Sequence, residues 1–130
     1  MALREYFEQV KGLGVLATAD VNGKVDVAVY ARPHFLGDGE EEVSFIMNDR
    51  LSHDNVVSNP HAAYLFVENT EGYVGKRLFL TKLREETDEE KIESVRRRQL
   101  PAECEEGKTK KRFLVHFRVD GVRPLIGSGQ

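Results

Sequence analysis

The segment Asn48–Phe66 (NDRLSHDNVVSNPHAAYLF) crowds Arg50, Ser52, His53 and Asn55 between two apolar stretches. A corner between two strands needs only two or three turn residues. A dozen polar ones call for another explanation. Read as a short helix that follows a strand, the segment presents unsatisfied backbone N–H groups in its first turn, which attract an anion. Arg50 and Ser52 stand at that start, with His53 beside them. A guanidinium can hold a phosphate through two parallel hydrogen bonds. The alternative is that Asp49 or Ser52 simply caps the helix while Arg50 points to water.

Two further stretches invite a ligand. Lys76-Arg77 opens a strand after Gly72 and Gly75, where a pair of cations meets a phosphate, an acidic partner or only water. In VDVAVYAR, Val25, Val27 and Val29 form one face and Asp26, Ala28, Tyr30 and Arg32 the other. Small Ala28 among longer side chains leaves room for something flat to lie on the strand, although an ordinary solvent-facing surface has the same mixture. The four histidines, His34, His53, His61 and His116, contain no His-x-x-x-His pair, so no metal site is expected. No Gly-x-Ser-x-Gly elbow and no glycine-rich phosphate loop occurs, and Gly127-Ser128-Gly129 reads as a frayed end. No catalytic side chain stands out. The run Arg96-Arg97-Arg98 closes a helix begun by Asp88-Glu89-Glu90, which suits the helix dipole at both ends. The basic KTKKR at 108–112 is balanced by Glu103, Glu105 and Glu106, as in a surface loop.

The elements that must position these groups follow from periodicity. Leu3, Tyr6, Phe7 and Val10 have helical spacing, and Gly12 and Gly14 are expected to end that helix. GVLATADVNGKVDVAVYARP reads as a hairpin about Asn22-Gly23, closed by Pro33. After a turn at Gly37-Asp38-Gly39, EVSFIMN makes a third strand, with Val43, Phe45 and Met47 on one side. The polar segment is a helix ending near Asn59-Pro60. HAAYLFVE and KRLFLTKLRE are the fourth and fifth strands, the latter separating Leu78 and Leu80 from Arg77, Phe79 and Thr81. Thr87 and Glu90 have capping-box spacing for a charged helix through about Gln99, stopped by Pro101. KRFLVHFRVDGVRPL supplies a sixth strand and room for a seventh. The order is mainly β, a closed or nearly closed antiparallel barrel with short flanking helices.

Bulk numbers set limits. A chain of 130 residues with 40% apolar content is one domain, 1–130, whose core could extend across a dimer interface. No apolar run reaches the roughly 20 residues of a membrane span. The charged amino end lacks a signal-peptide core, and the single Cys104 offers no internal disulfide. A cytoplasmic protein is expected. The net charge of -3 argues against nucleic acid as the main partner.

The order and spacing of these pieces resemble the pyridoxamine 5'-phosphate oxidase-like, FMN-binding split-barrel family. Ala17-Thr18, Gly23, Asn55-Val56 and Asn59-Pro60 match its Ala-Thr-x-x-x-x-Gly strand and its Ser-x-Lys-x-x-Asn-hydrophobic-x-x-Asn-Pro helix. The match covers about residues 1–85 well and the remainder in outline. Counting back from Asn55, the family's phosphate-binding lysine falls at Ser52, with Arg50 and His53 as nearby substitutes.

The resemblance implies a homodimer of six-stranded split barrels with two FMN molecules at the subunit interface. It implies a flavoprotein acting on a small-molecule electron donor or acceptor. Backbone groups of strand two (Ala28, Val29 and Tyr30) and of strand three (Ile46 and Met47) would line the flavin ring. Arg50, Ser52, His53 and Asn55 would hold the phosphate, with Arg32 second in line and Lys76 and Arg77 reaching from the partner. The family's carboxyl-terminal arginine-and-histidine substrate pattern has no counterpart in LIGSGQ, so pyridoxamine phosphate oxidation itself is not expected. Two alternatives stay open: a haem-binding split barrel, with a histidine near the interface, and a cofactor-free dimeric binding or regulatory module.

Overall fold

The computed structural model describes residues 2–96 and 111–127. Helix α1 (Leu3–Gln9) leads into β1 (Gly12–Ala19), β2 (Val25–Val29) and β3 (Glu42–Asn48). Helix α2 (Leu51–Ser58) is followed by β4 (His61–Glu68) and β5 (Gly75–Glu86). Helix α3 (Glu89–Arg96) and β6 (Arg112–Pro124) complete the order. The six strands form one antiparallel sheet in the order β2-β1-β4-β5-β6-β3, curled into a half-barrel. Its two edge strands, β2 and β3, are not paired with each other. That split is the mouth of the barrel. Among the described residues, no helix is long and apolar enough to cross a membrane.

Alternation builds the interior. Leu16, Val43, Phe45, Met47, Tyr64, Phe66, Leu78, Leu80, Val115 and Phe117 point inward, and α1 closes one end with Tyr6 and Phe7. Phe45 sits among Tyr30, Tyr64 and Phe117, with ring centroids 5.9, 5.1 and 5.9 Å away. A smaller core lies outside the sheet, where Ile92 and Val95 of α3 pack on Leu114 beside Leu36 and Ile46. Burial of both faces of β6 from Arg112 to Phe117 follows from this second layer.

Four local expectations change. Gly12 and Gly14 do not end α1, which stops at Gln9; both belong to β1. A side chain at Gly14 would collide with the Tyr64 hydroxyl, 1.8 Å from its Cβ position, so the glycine serves strand packing. The hairpin loop is wider than the Asn22-Gly23 pair, running between Ala19 and Val25, and of that pair only Gly23 has positive φ (85°). Asp20 instead organises the loop, its carboxylate accepting from the N–H groups of Asn22 and Lys24. Asp88, not Thr87, caps α3, accepting from the N–H groups of Glu90 and Lys91 at 3.1 and 3.3 Å. Strand β6 is a single element through Pro124, with irregular register against β5 in place of a break into a seventh strand. The proposed end of α3 near Gln99 and Pro101, Cys104 and most of the basic stretch lie outside the described residues.

The candidate functional site at the barrel split

A cleft of about 470 Å³ opens where β2 and β3 fail to meet. Its walls come from Asp26 and Ala28–Ala31 on one edge, Ile46 and Asn48 on the other, and Arg50, Leu51 and Ser52 at the floor. Arg96 of α3 and Arg112 of β6 complete it. The volume falls in the range of small-molecule sites, about 300–1,000 Å³.

The α2 start faces this cleft. Arg50 is its N-cap residue, in extended backbone conformation, and no side chain caps the helix. The first bond of the helical ladder runs from the Asp54 N–H to the Arg50 carbonyl. The N–H groups of Leu51, Ser52 and His53 therefore belong to the unpaired first turn. Neither Asp49 nor Ser52 acts as the side-chain cap that the simpler reading required. Ser52 is buried and its hydroxyl donates to Asp26 at 3.5 Å. Burial raises the Tyr30 phenol above its ordinary pKa, with Asp26 adding to this and Ser52 and Arg50 pulling the other way.

The polar residues of α2 divide between two faces. Asn55 turns into the barrel end and donates to Thr18 Oγ1 at 3.0 Å. His53 also turns inward: its ring stacks on Phe113 (3.6 Å, 9°) and its Nε2 lies 3.1 Å from both Glu85 oxygens. Burial pushes the Glu85 carboxyl up, but hydrogen bonds from Lys82 and His53 outweigh it and leave the group below the ordinary carboxylate range. Both residues thus lock α2 onto the barrel. At the cleft itself stand Arg50, Ser52 and the backbone.

Of the other sequence candidates, Ala28, Val29, Tyr30 and Ile46 line the cleft. The Met47 side chain lies on the opposite side of β3, fully buried in the core. Arg32 donates to the Val10 carbonyl at 3.0 Å and lines a different cavity, with Phe7, Glu8, Pro33, His34, Phe35 and Leu36. Lys76 places its ammonium 4.6 Å from the Tyr6 ring centre, and Arg77 donates to the carbonyls of Pro124 and Gly127. None of these three cations lines the cleft.

Sequence reasoning passed over Arg96 and Arg112. Arg112 pairs with Asn48 in the β3–β6 ladder, which carries it to the cleft wall. Its Nη2 donates to Glu89 at 2.8 Å and Glu93 at 3.2 Å, while its buried Nε has no partner. Arg96, then Arg112, hold the Glu93 carboxyl down to about 2. The signal was a register between strands far apart in sequence, which no local pattern encodes.

The outer surface of the sheet is apolar beside this site. Val25, Val27 and Val29 are 76, 66 and 70% exposed. The ladders set Val27 beside Ala17, Ala17 beside Ala63 and Ala63 beside Phe79, with Val15 and Leu65 in the next row. Cross-strand partners share a face, so these side chains form one continuous patch.

No family model matches the chain, and no curated protein does. Solved structures do. An FMN-binding protein from Syntrophomonas wolfei subsp. wolfei matches with a TM-score of 0.72 at 16% identity, over 96% of this chain and 84% of that one. A structure described as an F420 reductase gives 0.71 at 17%, over 100% and 99%. A Clostridium acetobutylicum protein related to general stress protein 26 of B. subtilis, of the pyridoxinephosphate oxidase family, gives 0.65 at 15%, over 92% and 83%. With six curled antiparallel strands open between β2 and β3, the chain has the pyridoxamine 5'-phosphate oxidase-like split-barrel fold.

Proposed function

We propose that the protein is a flavoprotein that binds FMN in the β2–β3 cleft of a homodimer and exchanges electrons with a small molecule. The observation that carries this reading is the uncapped start of α2, opening beside Arg50 on the cleft floor. The donor set suits a phosphate dianion: first-turn N–H groups and the exposed guanidinium of Arg50, with Arg112 on the cleft wall. These donors answer for the serine at the lysine position. Ala28, Val29, Tyr30 and Ile46 would flank the ring, with small Ala28 admitting a flat group. The solved structures described as an FMN-binding protein and an F420 reductase support a flavin-type cofactor.

Bound flavin would supply the electron transfer. The chain would hold the phosphate, orient the ring and exclude water. The apolar patch centred on Val27 and Ala17 would bury itself against a second copy, and the partner would then cover the cleft. Lys76 and Arg77, remote from the cleft of their own protomer, are available to act across that interface.

A visible spectrum of purified protein tests the cofactor directly. Flavin bands, or FMN fluorescence that is quenched on titration with the colourless protein, are expected. A Soret band would favour the haem reading. Colourless protein that leaves FMN fluorescence unchanged would favour a cofactor-free module.

A further inference from the structure

The His53 ring is more than nine-tenths buried, with 8% of its side chain exposed, yet its Nδ1 has no hydrogen-bond partner. Its other nitrogen is fully committed. Nε2 lies 3.1 Å from both oxygens of Glu85, which in turn accepts from Lys82 Nζ at 2.6 Å. The ring stacks on Phe113, and a flip about its Cβ–Cγ bond would put a carbon in place of Nε2 at Glu85. A carboxylate at Nε2 favours the proton there and leaves the Nδ1 lone pair without a partner. It faces Asp49, whose Oδ1 is 4.0 Å away. Asp54 completes the group: one ligand atom from each of Asp49, His53 and Asp54 lies within 4.8 Å of the others.

We propose that Asp49, His53 and Asp54 form a binding site for a divalent transition metal of the zinc class, with Glu85 orienting the imidazole. Three features argue for a metal over an accidental acidic cluster. A buried nitrogen left unpaired costs free energy that a ligand would recover. A metal-bound histidine almost always donates its second ring N–H to a carboxylate or carbonyl, as His53 does to Glu85. Both aspartates are exposed, so their carboxylates can close in from the solvent side. Ligand atoms in a tetrahedral zinc site lie about 3.4 Å apart, which asks for a small side-chain adjustment. One imidazole with two carboxylates favours zinc, manganese, iron or cobalt over calcium or magnesium, which take oxygen alone. Water would complete the coordination.

The site is separate from the cleft in its donors. Asp49 and Asp54 flank the α2 start, so a bound dication would also cancel two negative charges near it. The spacing is Asp-x-x-x-His-Asp, with one nitrogen ligand and no histidine pair.

The test uses tag-free, chelator-treated full-length protein without flavin, titrated with zinc chloride by calorimetry. One zinc per chain is expected. The dissociation constant should rise at least 10-fold in Asp49→Asn and in Asp54→Asn, and by 10- to 100-fold in Glu85→Gln. The two aspartate variants alter exposed side chains, and thermal melts in the presence of chelator should match the parent protein. Nitrogen NMR should place the zinc-dependent change at His53 Nδ1. Absence of zinc binding would overturn the proposal, as would zinc affinity unchanged in the Asp49→Asn/Asp54→Asn double variant. Because flavin is absent throughout, neither result depends on the proposed cofactor.

Discussion

Replacing Arg50 with alanine is expected to weaken FMN binding by about 1.5–3 kcal/mol, the range for a hydrogen bond to a charged group. That is roughly a 10- to 150-fold rise in the dissociation constant. Arg50 is exposed and serves α2 only through its backbone, so the variant should fold and melt like the parent. The loss should be selective. Removing a phosphate contact leaves the ring contacts in place, so riboflavin, which lacks the phosphate, should bind the variant and the parent alike. Fluorescence-quenching titrations measure both. Equal FMN affinity in parent and variant would show that the phosphate lies elsewhere.

Val27→Glu should convert the protein to a monomer and remove most of its FMN affinity. Val27 is 66% exposed in the isolated chain, so the substitution costs little folding stability. In the proposed dimer the same side chain lies at the centre of the buried patch, beside Ala17. An unpaired carboxylate buried there costs several kcal/mol, on the order of 1,000-fold in the dimer dissociation constant. Sedimentation velocity at micromolar concentration should give a dimer for the parent and a monomer for the variant. A variant that remains dimeric would place the interface on another surface.

These predictions rest on parts of the molecule that differ in how far the sequence disclosed them. Strands β3 and β4 and helix α2 were legible because their patterns are local: EVSFIMN alternates cleanly, and Asn59-Pro60 stops a helix. The general place of the site was legible for the same reason, since a helix start is marked by residues adjacent in sequence. Which side chains face it was not. Arg50 and Ser52 turn to the cleft while His53 and Asn55 turn to Glu85 and Thr18, a choice made by the barrel end and not by α2 itself. Arg112 reached the cleft only through its pairing with Asn48. Arg32, three residues past Val29, was carried round to Val10 by the chain's departure from β2. The valines of β2 likewise read as one apolar face, but only the sheet order shows that this face is turned outward at an edge.

At 15–17% identity, the solved structures share the curled sheet, and their cofactors belong to them. In this chain the start of α2 is uncapped, with Arg50 beside it and Arg112 on the cleft wall.

The central claim is that a phosphate dianion sits on the α2 start. The most direct measurement is the ratio of FMN to riboflavin affinity for the unmodified protein, taken by fluorescence quenching at low ionic strength. FMN should bind at least 100-fold more tightly. Equal dissociation constants for the two flavins would contradict the account.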